Sequence, residues 1–436
     1  MRRLLPLCGT GLVLFAVLAF LPASAPRVTS ANTLKAAGTK QWYRGNMHTH
    51  SLWSDGDNFL ENIALWYREQ KYDFLVFTDH NTLARSERWI DVDKAKSGRK
   101  AYAQLKKNFP DQILDREKDG KTEVRLKTFP EVVDLVGIPE KFLLIQGEEV
   151  SDKFGKLPVH LCAANLQEMI PPLGGQSVAE AIQNDVNALI AQRERTRQAM
   201  MIHLNHPNFG WGVTAEDLAQ VRGENFFEVY NGHPGVHNSG DAVHASTERI
   251  WDIINTLRLT ELQLPMMYGL ATDDGHSYHN IPSRASEPGR GWVMVLANAL
   301  TPDALIASME AGQFYASSGV FLEEVTAAKT GIALKIRGEE GVTYRTEFVG
   351  TRKDFDRTSS PVKDEQGNEL PVTRRYSDDV GTVLASSESL TPSYSFRGDE
   401  LYVRARVVSS KKHPNPSEID DLESAWTQPT RGPANP

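Results

Sequence analysis

The feature that most narrows the fold is a repeated coupling of short apolar runs to imidazole and carboxylate side chains at their ends. Residues 46–50 close a short strand with His48 and His50, two positions apart. Residues 72–78 run directly into Asp79-His80, and residues 141–145 are followed by Glu148-Glu149. His160 lies inside the run 159–163, and His203 and His206 end the run 199–204. Asp273, Asp274 and His276 follow the run 266–271. Two more short apolar strands are predicted at 226–230 and 292–296. Between them the apolar spacing predicts helices at 58–70, 177–192, 243–258 and 302–311. The last has Thr301 as N-cap, Pro302 in its first turn and Gly312 as its stop. Strands alternating with helices from 42 to 319 point to an α/β fold, a parallel barrel or a wound sheet. In such folds the ligand site forms at the carboxyl ends of the strands.

The flanking segments have a different texture. Residues 85–140 are charged, with Lys94, Lys96, Arg99, Lys100, Lys106 and Lys107, and are expected as a partly helical insertion on the outside or over the mouth. Beyond Gly319 no helix pattern appears. Residues 343–349 and 400–408 alternate like half-exposed strands, separated by polar stretches. Residues 320–410 are therefore expected as a small antiparallel, sandwich-like β domain, and 411–436 as a polar tail. Residues 1–25 read as a signal peptide, with Arg2 and Arg3, an apolar run at 12–21 and Ala23-Ser24-Ala25. The expected location is secreted or periplasmic, with no membrane span after cleavage. Cys8 leaves with that segment, and Cys162 is then a single thiol in an apolar run, read as a small buried hydrophobe.

Composition excludes several classes. A chain of 436 residues, 40% hydrophobic and 24% charged, is neither disordered nor a polytopic membrane protein. A net charge of −8 argues against nucleic acid as a partner, which needs a basic face.

Of the 12 histidines, all but His413 fall between 48 and 279. In a strand, residues i and i+2 share a face, so His48 and His50 can point at one ion. The convergent set exceeds what one tetrahedral ion with an open position can use. It suits two or three ions sharing a bridging carboxylate. Imidazole and carboxylate without thiolate fit zinc, manganese or iron.

The order His-x-His, Asp-Gly, Thr-Asp-His, Gly-x-Glu-Val-Ser, His, Asn-His-Pro, Asp-x-His closely resembles the PHP family, the polymerase and histidinol phosphatase domain, over about residues 42–319. The resemblance implies a distorted seven-stranded (β/α) barrel, a di- or trinuclear metal cluster, and hydrolysis of phosphate mono- or diesters. By motif, His48, His50 and Asp274 would hold a first metal. Glu149 would bridge it to a second held by His160 and His206, and Asp55, His80 and His276 would hold a third. Glu148 and Asp273 adjoin these and are expected to play a supporting part. Substrate contacts are expected from Arg284 and Arg290, on the loop after Asp-x-His, and from Asn231, His233 and His279. His203 is expected to pack or to orient a phosphate, and His237 and His244 to lie at the surface. The resulting expectation is a metal-dependent phosphoesterase acting on a small phosphorylated substrate. The alternative is a non-catalytic, metal-stabilised module that binds an envelope component or a glycan.

Overall fold

The computed structural model describes residues 39–434. The expected signal peptide at 1–25 and Cys8 lie outside them. In the first part seven strands belong to the main sheet: β1 (Gln41–Asn46), β2 (Phe74–Phe77), β3 (Leu143–Phe154), β4 (Leu157–Ala164), β5 (Met201–Leu204), β6 (Phe226–Asn231) and β7 (Tyr268–Thr272). They neighbour one another in chain order. The pairs β1–β2, β2–β3, β5–β6 and β6–β7 are parallel. The pairs β3–β4 and β4–β5 are antiparallel, unlike the all-parallel expectation. The reason is local. Gly155, at φ 61°, opens a two-residue turn between Phe154 and Leu157, and such a turn reverses the chain where a crossover helix would have kept its direction. After β1 and β7 the chain meets again in a parallel bridge between Thr49 and Gly275, with His50 N–H donating to Gly275 O at 3.0 Å. The carboxyl ends of β1 and β7 are thereby joined.

Helices cover this sheet with their apolar faces. They are α1 (Leu60–Glu69), α2 (Val178–Thr196), α3 (Thr247–Leu257) and α4 (Pro302–Glu310). Three start where a hydroxyl caps the first turn: Ser177, Ser246 and Thr301 accept from the N–H groups of Glu180, Arg249 and Ala304. Gly312, at φ 68°, lies just past α4 as the sequence suggests. Ile63, Ala64 and Tyr67 of α1 are fully buried, as are Ile250, Trp251 and Ile254 of α3.

The insertion at 85–140 folds into three short antiparallel strands, Arg88–Asp91, Asp115–Lys118 and Lys121–Leu126, with helices Gly98–Asn108 and Phe129–Val136. Its Ala101, Leu105, Val124 and Leu126 join one apolar cluster with Trp53 and Phe59. Lys96 Nζ donates to Asp55 O at 2.8 Å, so the insertion braces the loop that carries Asp55.

The C-terminal third differs from its expected form. Strands β8 (Trp292–Ala297) and β9 (Phe314–Ser317) extend the sheet antiparallel from β1. The same sheet then continues through β13 (Leu422–Thr427), β12 (Glu400–Lys412), β10 (Tyr344–Arg352) and β11 (Thr382–Ser387). From Thr39 onward the chain forms one compact unit that takes in the β region beyond 319. The polar tail expected at 411–436 instead supplies β13, where Tyr315 pairs with Thr427 and Ser317 with Ala425. Ala425 and Trp426 are buried, and Trp426 stacks on Tyr230 of β6 at 5.7 Å. A second sheet of Leu322–Ala328, Gly331–Ile336 and Ser393–Ser395 shares a buried cluster with Phe348, Ala405 and Val407.

Candidate metal centre

The residues beyond each strand end are held by their own short networks. Asn46, the last residue of β1, donates through Nδ2 to His48 O, Thr49 Oγ1 and Tyr67 OH at 2.9, 2.6 and 3.0 Å. This fixes the backbone that presents His48 and His50, both with no exposed surface. Asp79 accepts from Ser51 N, Ser51 Oγ and Ser54 Oγ at 2.6–2.7 Å and so shapes the loop bearing Asp55. Alternation along β3 sends Glu149 and Glu148 to opposite faces. Glu149 turns to the histidines, whereas Glu148 accepts from Ile170 N–H at 2.5 Å. On the reversed strand β4, His160 stands opposite Ser151 in register. Asp274 and His206 follow β7 and β5 with φ of 49° and 25°, in backbone conformations that non-glycine residues rarely adopt.

Nine side chains converge. Glu149 Oε1 lies 3.5 Å from His48 Nε2, 3.1 Å from His160 Nδ1 and 3.4 Å from His206 Nε2. Its Oε2 lies 3.4 Å from His50 Nε2 and 2.7 Å from His80 Nδ1. Asp274 Oδ1 lies 3.3, 3.2 and 3.5 Å from His48 Nε2, His50 Nε2 and His276 Nδ1. Asp55 Oδ1 sits 3.6 Å from His50 Nδ1 and His80 Nε2 and 3.3 Å from His276 Nε2. Four sets have their ligand atoms within 4.8 Å of one another: His50, Asp55, His80 and His276; His48, His50 and Glu149; His48, His206 and Asp274; and Glu149, His160 and His206. Glu149 is common to two of them, as are His48, His50 and His206, and of these four Glu149 alone offers two separate oxygens, one to each set.

Electrostatics make these groups unstable alone. Burial alone would lower the His48 pKa, but Asp274, Glu228 and Glu149 raise it well above the usual range. Burial, with His276 and His80 beside it, lowers His50 to about 3, leaving a neutral ring with one nitrogen lone pair to share. Burial opposes ionisation of Glu149 and Asp274, yet the surrounding histidines hold both well below the usual carboxylate range. His48 Nε2, both nitrogens of His50 and Glu149 Oε2 are buried without a hydrogen-bond partner. Buried polar atoms are rarely left so. Divalent cations would take up His48 Nε2, the free nitrogen of His50 and Glu149 Oε2, so the donor set fits a metal cluster.

The expected substrate contacts divide. His233 stands beside the cluster, its ring 5.6 Å from that of His276. Asn231 is fully buried and donates to Glu228 Oε2 at 2.8 Å and Asp274 Oδ2 at 3.1 Å, so it orients carboxylates and does not face a substrate. His203 is buried beneath the cluster, 3.5 Å from Glu228 Oε1, out of reach of a phosphate. His279 Nε2 donates to Asp57 O at 3.1 Å and ties two loops together. Arg290 has no exposed surface and spends its guanidinium on Gly232 O, Asn415 and Glu287 at 2.8–3.3 Å. Arg284 is exposed and has no ion pair among the described residues. Asp273 accepts from Arg290 N, Gly291 N and Tyr67 OH, a supporting position. His237 and His244 stack on Trp211 at 4.8 and 3.7 Å, away from the nine.

Two further residues matter that the sequence reading passed over. Glu228 of β6 is fully buried and accepts from four groups, among them His48 Nδ1 and the His206 N–H. Its signal was a lone acid inside the apolar strand Phe-Phe-Glu-Val-Tyr. Asn205, next to His206, donates to Glu149 Oε1 at 2.7 Å.

No family model matches the chain, and no curated protein matches it. Among solved structures, it is similar to a two-domain protein from Bacteroides vulgatus ATCC 8482 containing a predicted PHP-like metal-dependent phosphoesterase. The identity is 15% over 89% of this chain and 95% of the other, with a TM-score of 0.38. It is also similar to a protein from Bifidobacterium adolescentis ATCC 15703, there too assigned only by prediction as a metal-dependent phosphoesterase. That identity is 11% over 53% of this chain and 87% of the other, with a TM-score of 0.28. These likenesses are slight, and the reading of the site rests on its own geometry.

Proposed function

We propose that this chain is a metal-dependent hydrolase of phosphate mono- or diesters, exported beyond the inner membrane. The observation that carries the reading is the set of orphaned, buried ligand atoms on His48, His50 and Glu149. Two or three divalent ions, of zinc, manganese or iron, would bind the phosphoryl oxygens there and activate a water for in-line attack at phosphorus.

The chain's own residues prepare that chemistry. Following the motif order, His48, His50 and Asp274 would form one ligand set and His160 and His206 a second, with Glu149 facing both. Asp55, His80 and His276 form a third set nearer the solvent, since the Asp55 side chain is 55% exposed. His233 Nδ1 accepts from Gly235 N–H at 2.9 Å, which leaves the ring proton on Nε2. Burial and the nearby His276 keep this imidazole neutral, its pKa lowered. It can therefore donate from Nε2 to a phosphoryl oxygen without adding charge. With Arg290 engaged elsewhere, phosphate charge would be met by the cluster itself and by no buried guanidinium.

Metal analysis of the purified protein together with turnover of p-nitrophenyl phosphate and its bis-ester tests this reading. Two or more ions per chain and turnover abolished by chelator and restored by metal are expected. A fully metallated protein inert on a broad panel of phosphate esters would refute the hydrolase and favour a binding module.

A further inference from the structure

The carboxylate of Glu228 sits behind the proposed ligands, between β5, β7 and the end of β1. Its Oε1 takes His48 Nδ1 and Thr272 Oγ1, both at 2.7 Å. Its Oε2 takes the His206 backbone N–H and Asn231 Nδ2, both at 2.8 Å. Asn231 Nδ2 also reaches Asp274 Oδ2 at 3.1 Å. One group thus touches the supports of His48, His206 and Asp274.

We propose that Glu228 is the positioning residue that makes His48 a ligand through Nε2 and locks His48 and His206 into one metal-binding frame. The inference rests on the metal-cluster reading above. A neutral imidazole that donates from Nδ1 has its lone pair on Nε2. His48 Nε2 is the atom that faces Glu149 and Asp274, at 3.5 and 3.3 Å. Such a carboxylate behind a ligating histidine fixes the ring's tautomer and strengthens it as a donor.

The hydrogen bonds also dictate what an isosteric amide would do. In Glu228→Gln the side chain has one acceptor and one NH2. The His206 N–H can only donate, and Asn231 Nδ2 remains committed to Asp274, so the amide oxygen must take the Oε2 position. Its NH2 then faces His48 Nδ1 and Thr272 Oγ1. Both can accept, provided His48 moves its proton to Nε2. Every hydrogen bond survives, yet the ligand atom of His48 is protonated.

The test is Glu228→Gln, read by zinc titration and by long-range 1H–15N spectra of the histidine rings in the zinc-loaded protein. Wild type should show His48 with Nδ1 protonated and Nε2 bound. The variant should show His48 protonated on Nε2 and bind one zinc about 10–100-fold more weakly, with its melting temperature before loading preserved. A purely structural role would move the melting temperature and leave the tautomer alone. Equal zinc affinity and an unchanged tautomer in the variant would overturn the proposal. If the variant does not fold, the wild-type spectrum decides, because zinc on His48 Nδ1 overturns the proposal by itself. A wild type that takes up no zinc, manganese or iron would refute the metal-cluster reading and this inference with it. A wild type that loads beside an indifferent variant refutes only the part given to Glu228.

Discussion

Replacing Arg290 with methionine should weaken the fold and spare the chemistry. The guanidinium is fully buried and donates to Gly232 O, to the main chain and side chain of Asn415, and to Glu287 Oε2 at 3.2 Å. Glu287 is equally buried and would be left without its cation. Breaking a buried pair from one side costs about 3–5 kcal/mol. Glu287 keeps the Ser283 N–H at 2.9 Å and the Ser283 hydroxyl at 2.5 Å, which places the loss near the lower end, ~3 kcal/mol. Unfolding entropy of about 2 cal/mol/K per residue gives roughly 0.8 kcal/mol/K for a unit of ~400 residues, and so a fall in Tm of about 4 °C. Thermal unfolding of metal-saturated wild type and Arg290→Met measures this, alongside metal content and steady-state kinetics. An unchanged Tm with a raised KM would put the guanidinium on the substrate and refute the reasoning.

Three other outcomes are expected. Glu149→Gln should lose metal affinity at two positions together and abolish turnover. A variant with full metal content and rate would show that Glu149 bridges nothing. Removing metal with a chelator should lower Tm reversibly, since an ion at a thousand times its Kd contributes about 4 kcal/mol, and a melting curve indifferent to chelation would count against the cluster. Burial pushes Glu148 up to about 8, and burial with Asp152 beside it pushes Asp185 up to about 7. The native state then binds more protons than the unfolded chain from the ordinary carboxyl range up to these values, so stability should fall as pH rises from about 5 to 8. Glu148→Gln should flatten that slope, and denaturant titrations showing an unchanged slope would contradict it.

Most of the nine clustered residues were legible because they follow an apolar run, and a strand end places its next residues predictably; His160 instead lies within such a run and Asp55 on the loop beyond His50. The same logic failed one layer deeper. Arg290 and His203 carry the right chemistry in the right segments, but a sequence does not say whether a side chain points into a pocket or is consumed by a carbonyl. Glu228 was hidden because a single acid in a strand reads as an exposed position until its four donors are seen. The reversal at β4 hung on one two-residue turn at Gly155, whose effect on strand direction outweighs the apolar pattern on either side. Strand β13 was missed because Leu-Glu-Ser-Ala-Trp-Thr lies within a polar, proline-bearing stretch, and its partner Phe314–Ser317 is remote in sequence.

The placement of β13 has a consequence for how the molecule comes into being. Strand β13 lies between β9 and β12, both of which precede it in the chain, and just beyond it the Gln428 amide exchanges two hydrogen bonds with the Gly269 backbone on β7, both at 2.9 Å. A nascent chain that has already emerged through β9 must hold that edge unzipped until Leu422–Thr427 has followed it out. Long-range closure of this kind is slow and exposes strand edges meanwhile. A stop codon ahead of Leu422 would therefore yield a species inclined to aggregate, not a trimmed but folded protein.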